Sequence, residues 1–158
     1  MGFFDYSSQY DYPIFFEECL VPAQNKLFRD IINKYHSYVK YSDVPQRRIN
    51  YLIYRTSDGK PIGAIGISSC VLAISVRDNY IGWDKETRLK NSNMVANNYR
   101  FCLAPDNGIK NVGTMALKLL RIEGGKRWKE KYGDDLVMLE TFVQPLIKGS
   151  DNKRNGAV

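Results

Sequence analysis

The chain has 158 residues, with Lys and Arg numbering 23 against 17 Asp and Glu, a net charge of +6, and 44% hydrophobic residues. This balance excludes wholesale disorder, and the length suits one domain that folds without disulfide or metal staples. No apolar run approaches the ~20 residues of a membrane span; the longest, Ile62 to Val76, is broken by Gly63, Gly66 and a Ser-Ser-Cys turn.

In chain order, Met1 to Tyr12 is aromatic and polar without helical period and reads as an arm or a strand. Leu27, Phe28, Ile31, Ile32 and Tyr35 recur at helical spacing, so the pattern predicts an amphipathic helix from Pro22 to about Tyr38. Pro45 to Arg48 is a basic loop. Ile49–Tyr54 and Pro61–Ser68, joined through Ser57-Asp58-Gly59-Lys60, predict a β-hairpin, and Val71 to Val76 is expected to extend the sheet. Arg77 to Asn93 is charged and reads as a loop or a short helix. Met94 to Leu103 predicts a strand ended by Pro105-Asp106-Asn107-Gly108. A helix follows from Val112 to about Trp128, interrupted at Gly124-Gly125, then a buried strand from Leu136 to Val143. Gly149 to Val158 is polar and has no core-forming pattern. The order predicts an α+β (mixed α/β) sheet flanked by helices, with no internal repeat.

The cationic surplus favours an anionic partner, nucleic acid or a phosphate-bearing cofactor. Cys19, Cys70 and Cys102, odd in number and without CxxC spacing, predict reduced thiols in a cytoplasmic protein. His36 is the single histidine, so no metal site is expected. The N-terminus reads without a secretory signal, and Tyr6 stands where a myristoylation pattern needs Ser or Thr.

Chemistry is expected first between Pro105 and Leu120, where a strand, a glycine-containing loop and a helix start follow one another. The amides and dipole of such a helix start favour an anion, with Lys110 and Gly113 beside it; an ordinary loop and helix start is the alternative. His36, among Tyr35, Tyr38 and Tyr41, reads as an acid–base group or as a structural residue. Arg100 and Glu140 interrupt apolar strands and read as cleft residues, as a buried ion pair on neighbouring strands, or, for Arg100, as a solvent-facing residue. Arg47, Arg48, Arg77, Lys85, Arg88 and Lys90, interleaved with Tyr80 and Trp83, read as a phosphate- and base-contacting surface or as a solvated face.

The run Ile81-Gly82-Trp83-Asp84, Arg88, Asn91, Val95, Asn97-Asn98-Tyr99-Arg100-Phe101, Leu103 and Pro105 resembles the DruA family of Druantia anti-phage systems. So do Trp128 to Gly133, Leu139-Glu140-Thr141-Phe142-Val143, and the upstream Tyr35-His36 with Tyr51-Leu52-Ile53-Tyr54. The resemblance implies a GNAT-like acyltransferase fold similar to that of the phage Mom DNA-modification proteins. It implies an acetyl-CoA or related acyl-CoA held by Lys110, Asn111 and Gly113, although Met115 replaces a small residue of that pattern. It places His36, Tyr38, Arg100 and Glu140 at an active centre that transfers an acyl group to a base amine, with DNA and other defence-system or phage proteins as partners. A non-catalytic DNA-binding or assembly module on the same fold is the alternative, as is a plain oligomerising protein. Gln144 stands where the family carries an aspartate. The expected organisation is an arm or first strand over 1–21, a core over 22–147 and a polar tail over 148–158, lacking the family's last helix–strand unit.

Overall fold

The structure, a computed structural model, describes residues 12–36, 41–42 and 46–142. Its chain order is β1 (Ile14–Glu18), α1 (Pro22–Tyr35), β2 (Arg48–Arg55), β3 (Pro61–Ser69), α2 (Ser75–Ile81), α3 (Lys85–Asn91), β4 (Val95–Leu103), α4 (Val112–Leu119), α5 (Gly125–Tyr132) and β5 (Met138–Glu140). The sheet runs β1-β2-β3-β4-β5 in space, antiparallel except for a parallel β4–β5 pair. This is the expected mixed α+β architecture.

Helices cover both faces. On one, α1 seats Phe28, Ile31 and Ile32 against Leu52, Ala64 and Cys102. On the other, Val112, Ala116, Leu119, Leu120 and Trp128 pack on Ile49, Tyr51, Ile53, Ile65 and Ile67. Each fully buried side chain of this size contributes roughly 1.5–3 kcal/mol, so the two clusters hold the helices to the sheet.

The hairpin forms as expected, and the predicted loop or short helix after it is two short helices. Other expectations are corrected. Val71 to Val76 does not extend the sheet: a turn leads into α2 at Ser75. The Val71 N–H donates to Glu140 Oε1 (3.1 Å), and Arg77 donates to the carbonyls of Val71 (2.8 Å) and Leu72 (3.0 Å). Side chains thus satisfy backbone groups that a strand would have paired. The Gly124-Gly125 pair does not stop the helix; α4 passes through a π-helical turn, Leu120–Gly124, straight into α5. A Cβ on Gly124 would lie 3.4 Å from Ile67 Cδ1 and 3.2 Å from Leu120 Cδ1, so the glycine lets this helix lie close on the sheet. The last strand is shorter and less buried than predicted: β5 is three half-buried residues, and Thr141 and Phe142 are exposed. Helix α1 ends at Tyr35, before the predicted Tyr38, which lies outside the described residues, as do Val143 and Gln144.

Candidate functional site

Successive strand residues alternate between faces, so register assigns each row of side chains to one side of the sheet. The rows Leu52–Ala64–Cys102, Asn50–Gly66–Arg100 and Arg48–Ser68–Asn97–Glu140 share the α1 face. The apolar contacts of α1 are with the first row. Beyond it the sheet is polar yet buried, with Asn50 at 6%, Ser68 at 3% and Asn97 at 8% exposure.

A one-residue irregularity shapes this floor. Gly66 pairs with Arg100 while Ile67 pairs with Asn98, so Tyr99 is an extra residue in β4. Such a bulge re-aims side chains, here bringing Tyr99 and Arg100 to the same side. The Tyr99 ring crosses Gly66, where a Cβ would lie 2.7 Å from Tyr99 Cε1. Its hydroxyl donates to Asn50 Oδ1 at 2.6 Å, and burial raises the phenol pKa above its ordinary value, keeping the donor proton in place. With its nitrogen inward, the Asn98 carboxamide donates to the Gly66 (3.2 Å) and Arg100 (3.0 Å) carbonyls and fastens the bulge.

Helix α1 delivers His36 to the same face. It is the C-terminal cap, its backbone N–H donating to the Ile32 carbonyl at 2.9 Å. The imidazole Nδ1 is buried without a partner. Burial first, and then the Arg100 charge, hold its pKa below the ordinary 6.5, so the ring is neutral near pH 7. Arg100 donates through Nη1 to the Tyr99 carbonyl (2.7 Å) and through Nη2 to Ser42 Oγ (3.4 Å), and its guanidinium lies 5.3 Å from the Tyr99 ring centroid. Its Nε is buried and unpartnered, and no carboxylate pairs with it among the described residues. A neutral imidazole and an unneutralised guanidinium therefore stand together on a polar floor, an arrangement suited to an anionic ligand carrying a titratable group.

A family profile for the Druantia protein DruA matches residues 17–148. The chain belongs to the DruA family. The Druantia protein DruA of Escherichia coli (strain UMEA 4076-1) is 50% identical over 42 residues, 27% of this chain and 10% of that protein. The matched stretch thus spans about a tenth of that relative's length.

Within this DruA-family chain the remaining predicted site residues divide. Glu140 shares the polar face but does not pair with Arg100: Oε1 takes the Val71 amide and Oε2 takes Arg77 Nη1 at 3.0 Å. The register puts Glu140 beside Asn97, not Arg100, and Arg77 reaches it first. Tyr38 lies outside the described residues. Lys110 and Asn111 are exposed and Gly113 is buried, all at the start of α4.

The basic set is not one open surface. Arg77 is 9% exposed and is spent on Asp78, Glu140 and two carbonyls, with Trp83 stacked 5.9 Å from its guanidinium. Arg88 pairs with Asp78 at 2.8 Å, and Arg47 pairs with Asp134. The Arg88 and Arg77 pairs hold the Asp78 carboxyl below the usual carboxylate range. Arg88 thus ties α3 to α2, Arg77 ties α2 to β5, and Arg47 ties the start of β2 to the segment after α5, while Lys85 and Lys90 stay exposed and Arg48 is half-buried on the polar face.

Asn50, Ser68, Asn97 and Tyr99 received no site role from the sequence, although Asn97 and Tyr99 stand in the run that carries the family resemblance. The signal was present as alternation, since Arg48 and Asn50 flank Ile49 in β2 while Asn97 and Tyr99 recur in β4. Such alternation ordinarily marks a solvent-facing side, and only burial shows that this side is covered.

Proposed function

We propose that this chain serves in anti-phage defence as a GNAT-like acyltransferase domain acting on nucleic acid, similar to the Mom proteins, with the polar sheet face around His36 and Arg100 as its acceptor side. One observation carries the reading. β5 pairs with β4 only through Val95, Ala96 and Asn97, so among the described residues β4 has no strand neighbour on that side from the bulge to Leu103. The loop 104–111 then carries the chain from the end of this unpaired stretch to the start of α4.

The residues at that start fit an acyl-CoA pyrophosphate. Asn111 holds a left-handed conformation (φ 58°), and no side chain caps the first turn of α4, leaving the Val112, Gly113 and Thr114 amides available beside Lys110. When bound, acyl-CoA would supply a thioester-activated acyl group. His36, neutral at pH 7, is the group that would take the proton the acceptor amine loses. Arg100 holds a phosphate of the acceptor strand. Exposed Lys85 and Lys90 add the sequence-independent attraction that a polyanion brings out.

Titration calorimetry with acetyl-CoA tests the cofactor half. The parent chain is expected to bind, Lys110→Ala to bind several-fold more weakly, and Gly113→Trp not to bind while still melting cooperatively. Absence of binding by the parent overturns acyl transfer. The second reading, a DNA-binding module without catalysis, is favoured by Met115, which is large and half-buried in the first turn of α4. Salt-dependent DNA binding with no acetyl-CoA binding would establish it.

A further inference from the structure

Arg100 owes its place beside His36 to the backbone rather than to an ion pair. Its guanidinium reaches the Tyr99 carbonyl, one residue back, and Ser42 Oγ at 3.4 Å, and among the described residues it has no carboxylate partner. Asn97 pairs with Ser68 and lies on the α1 face. Strict alternation would therefore carry Arg100, three residues on, to the opposite face, with Ile67 and the apolar cluster under α4. The extra residue at Tyr99 cancels that flip and returns Arg100 to the α1 face. A bulge interrupts the strand ladder and leaves backbone groups to be satisfied by other means. Asn98 does this with one side chain. Its carboxamide nitrogen donates to the Gly66 carbonyl on β3 (3.2 Å) and to the Arg100 carbonyl beyond the extra residue (3.0 Å), so it spans the bulge.

We propose that Asn98 is a positioning residue: by pinning the bulge it sets the Arg100 guanidinium on the face that carries His36. The assignment rests on the reading of this face as the acceptor side and names the residue that assembles it. Asn98 acts through Arg100. Without its two bonds the Gly66 and Arg100 carbonyls each lose a donor, the strand is no longer braced at Tyr99, and the guanidinium moves off the imidazole.

The test is an NMR pH titration, in which His36, the only histidine of the chain, reports without overlap. After burial, Arg100 is the cause that lowers its pKa. Arg100→Gln is expected to raise the His36 pKa toward 6.5, and Asn98→Ala to raise it by a similar amount. The double variant should go no further than Arg100→Gln alone, because both changes remove the same interaction. Tyr99→Phe, which loses a hydrogen bond on the same face, should leave the pKa where it is. A His36 pKa in Asn98→Ala equal to the parent's overturns the assignment. So does an equal rise in Tyr99→Phe, which traces the effect to loosening of the whole face. Should Asn98→Ala fail to melt cooperatively, Asn98→Ser, which keeps one donor, is read the same way with a smaller shift. No shift in Arg100→Gln overturns the placement of Arg100 against His36, and this assignment with it. The acceptor-side reading is judged separately, by salt-dependent binding of a labelled single-stranded oligothymidylate. Arg100→Gln and Asn98→Ala should each lower the salt slope by about one. A parent chain that binds no oligonucleotide overturns that reading and leaves the titration to judge Asn98.

Discussion

At the scale of single residues, the polar side of the sheet is a set of groups held where the fold gains little from them. His36 is the one that titrates. Its folded pKa lies below 6.5, so between that value and 6.5 the unfolded chain takes up a proton that the folded chain refuses. Stability therefore falls as pH drops below about 6.5, and the loss levels off below the folded pKa. Melting temperature followed from about pH 7.5 to 5 should decline more in the parent than in His36→Asn; identical slopes would show that the imidazole is not held neutral by its surroundings. Tyr99 is the opposite case, a polar group whose partner depends on it. Tyr99→Phe strands Asn50 Oδ1 under the α1 face and should cost about 1–2 kcal/mol in denaturant unfolding. A loss within the error of the measurement would mean that Asn50 finds another donor. Among these residues only His36 and Arg100 drew attention in the sequence, because a lone histidine and a charge inside an apolar strand are visible without a structure.

At the scale of elements, α2 shows how a side chain can override a local pattern. Val71 to Val76 is apolar and β-branched enough to read as strand. The decision belongs to Arg77 and Glu140, 63 residues apart in sequence, whose 3.0 Å pair joins the start of α2 to β5. Both side chains are nearly buried, at 8% and 11% exposure. Removing one partner leaves the other as an uncompensated charge, so Glu140→Ala should destabilise by roughly 3 kcal/mol, measured as a shift in denaturant midpoint at constant slope. A change below about 1 kcal/mol, the level of a surface pair, would show that water reaches the bridge. β5 was overpredicted for a related reason: Leu136 to Val143 has a buried strand's composition, but an edge strand paired through three residues buries little of it. The Gly124-Gly125 pair reads locally as a break, whereas packing on Ile67 uses the missing Cβ to keep the helix against the sheet.

At the scale of the whole molecule, the order helix, hairpin, strand, helix, strand was legible because each element carries its own period, and that order already implied a mixed sheet between helices. The family was legible too, because motif blocks survive as short runs in fixed order. The amphipathic helix α1, the turn at Asp58-Gly59 and the end of β4 at Pro105 are local chemistry, written in consecutive residues. What the tertiary structure decided is where polar groups are buried and with whom they pair. Arg77, Arg88 and Arg47 look like a basic surface in one dimension, yet each is bound to a carboxylate brought from elsewhere in the chain or from the next residue. Arg100 and Glu140 look like a pair, yet strand register gives Glu140 to Arg77 and leaves Arg100 beside His36. Periodicity is a property of neighbours along the chain, and register, burial and charge pairing are properties of neighbours in space; a bulge of one residue at Tyr99 is enough to turn the same β4 sequence into a polar floor.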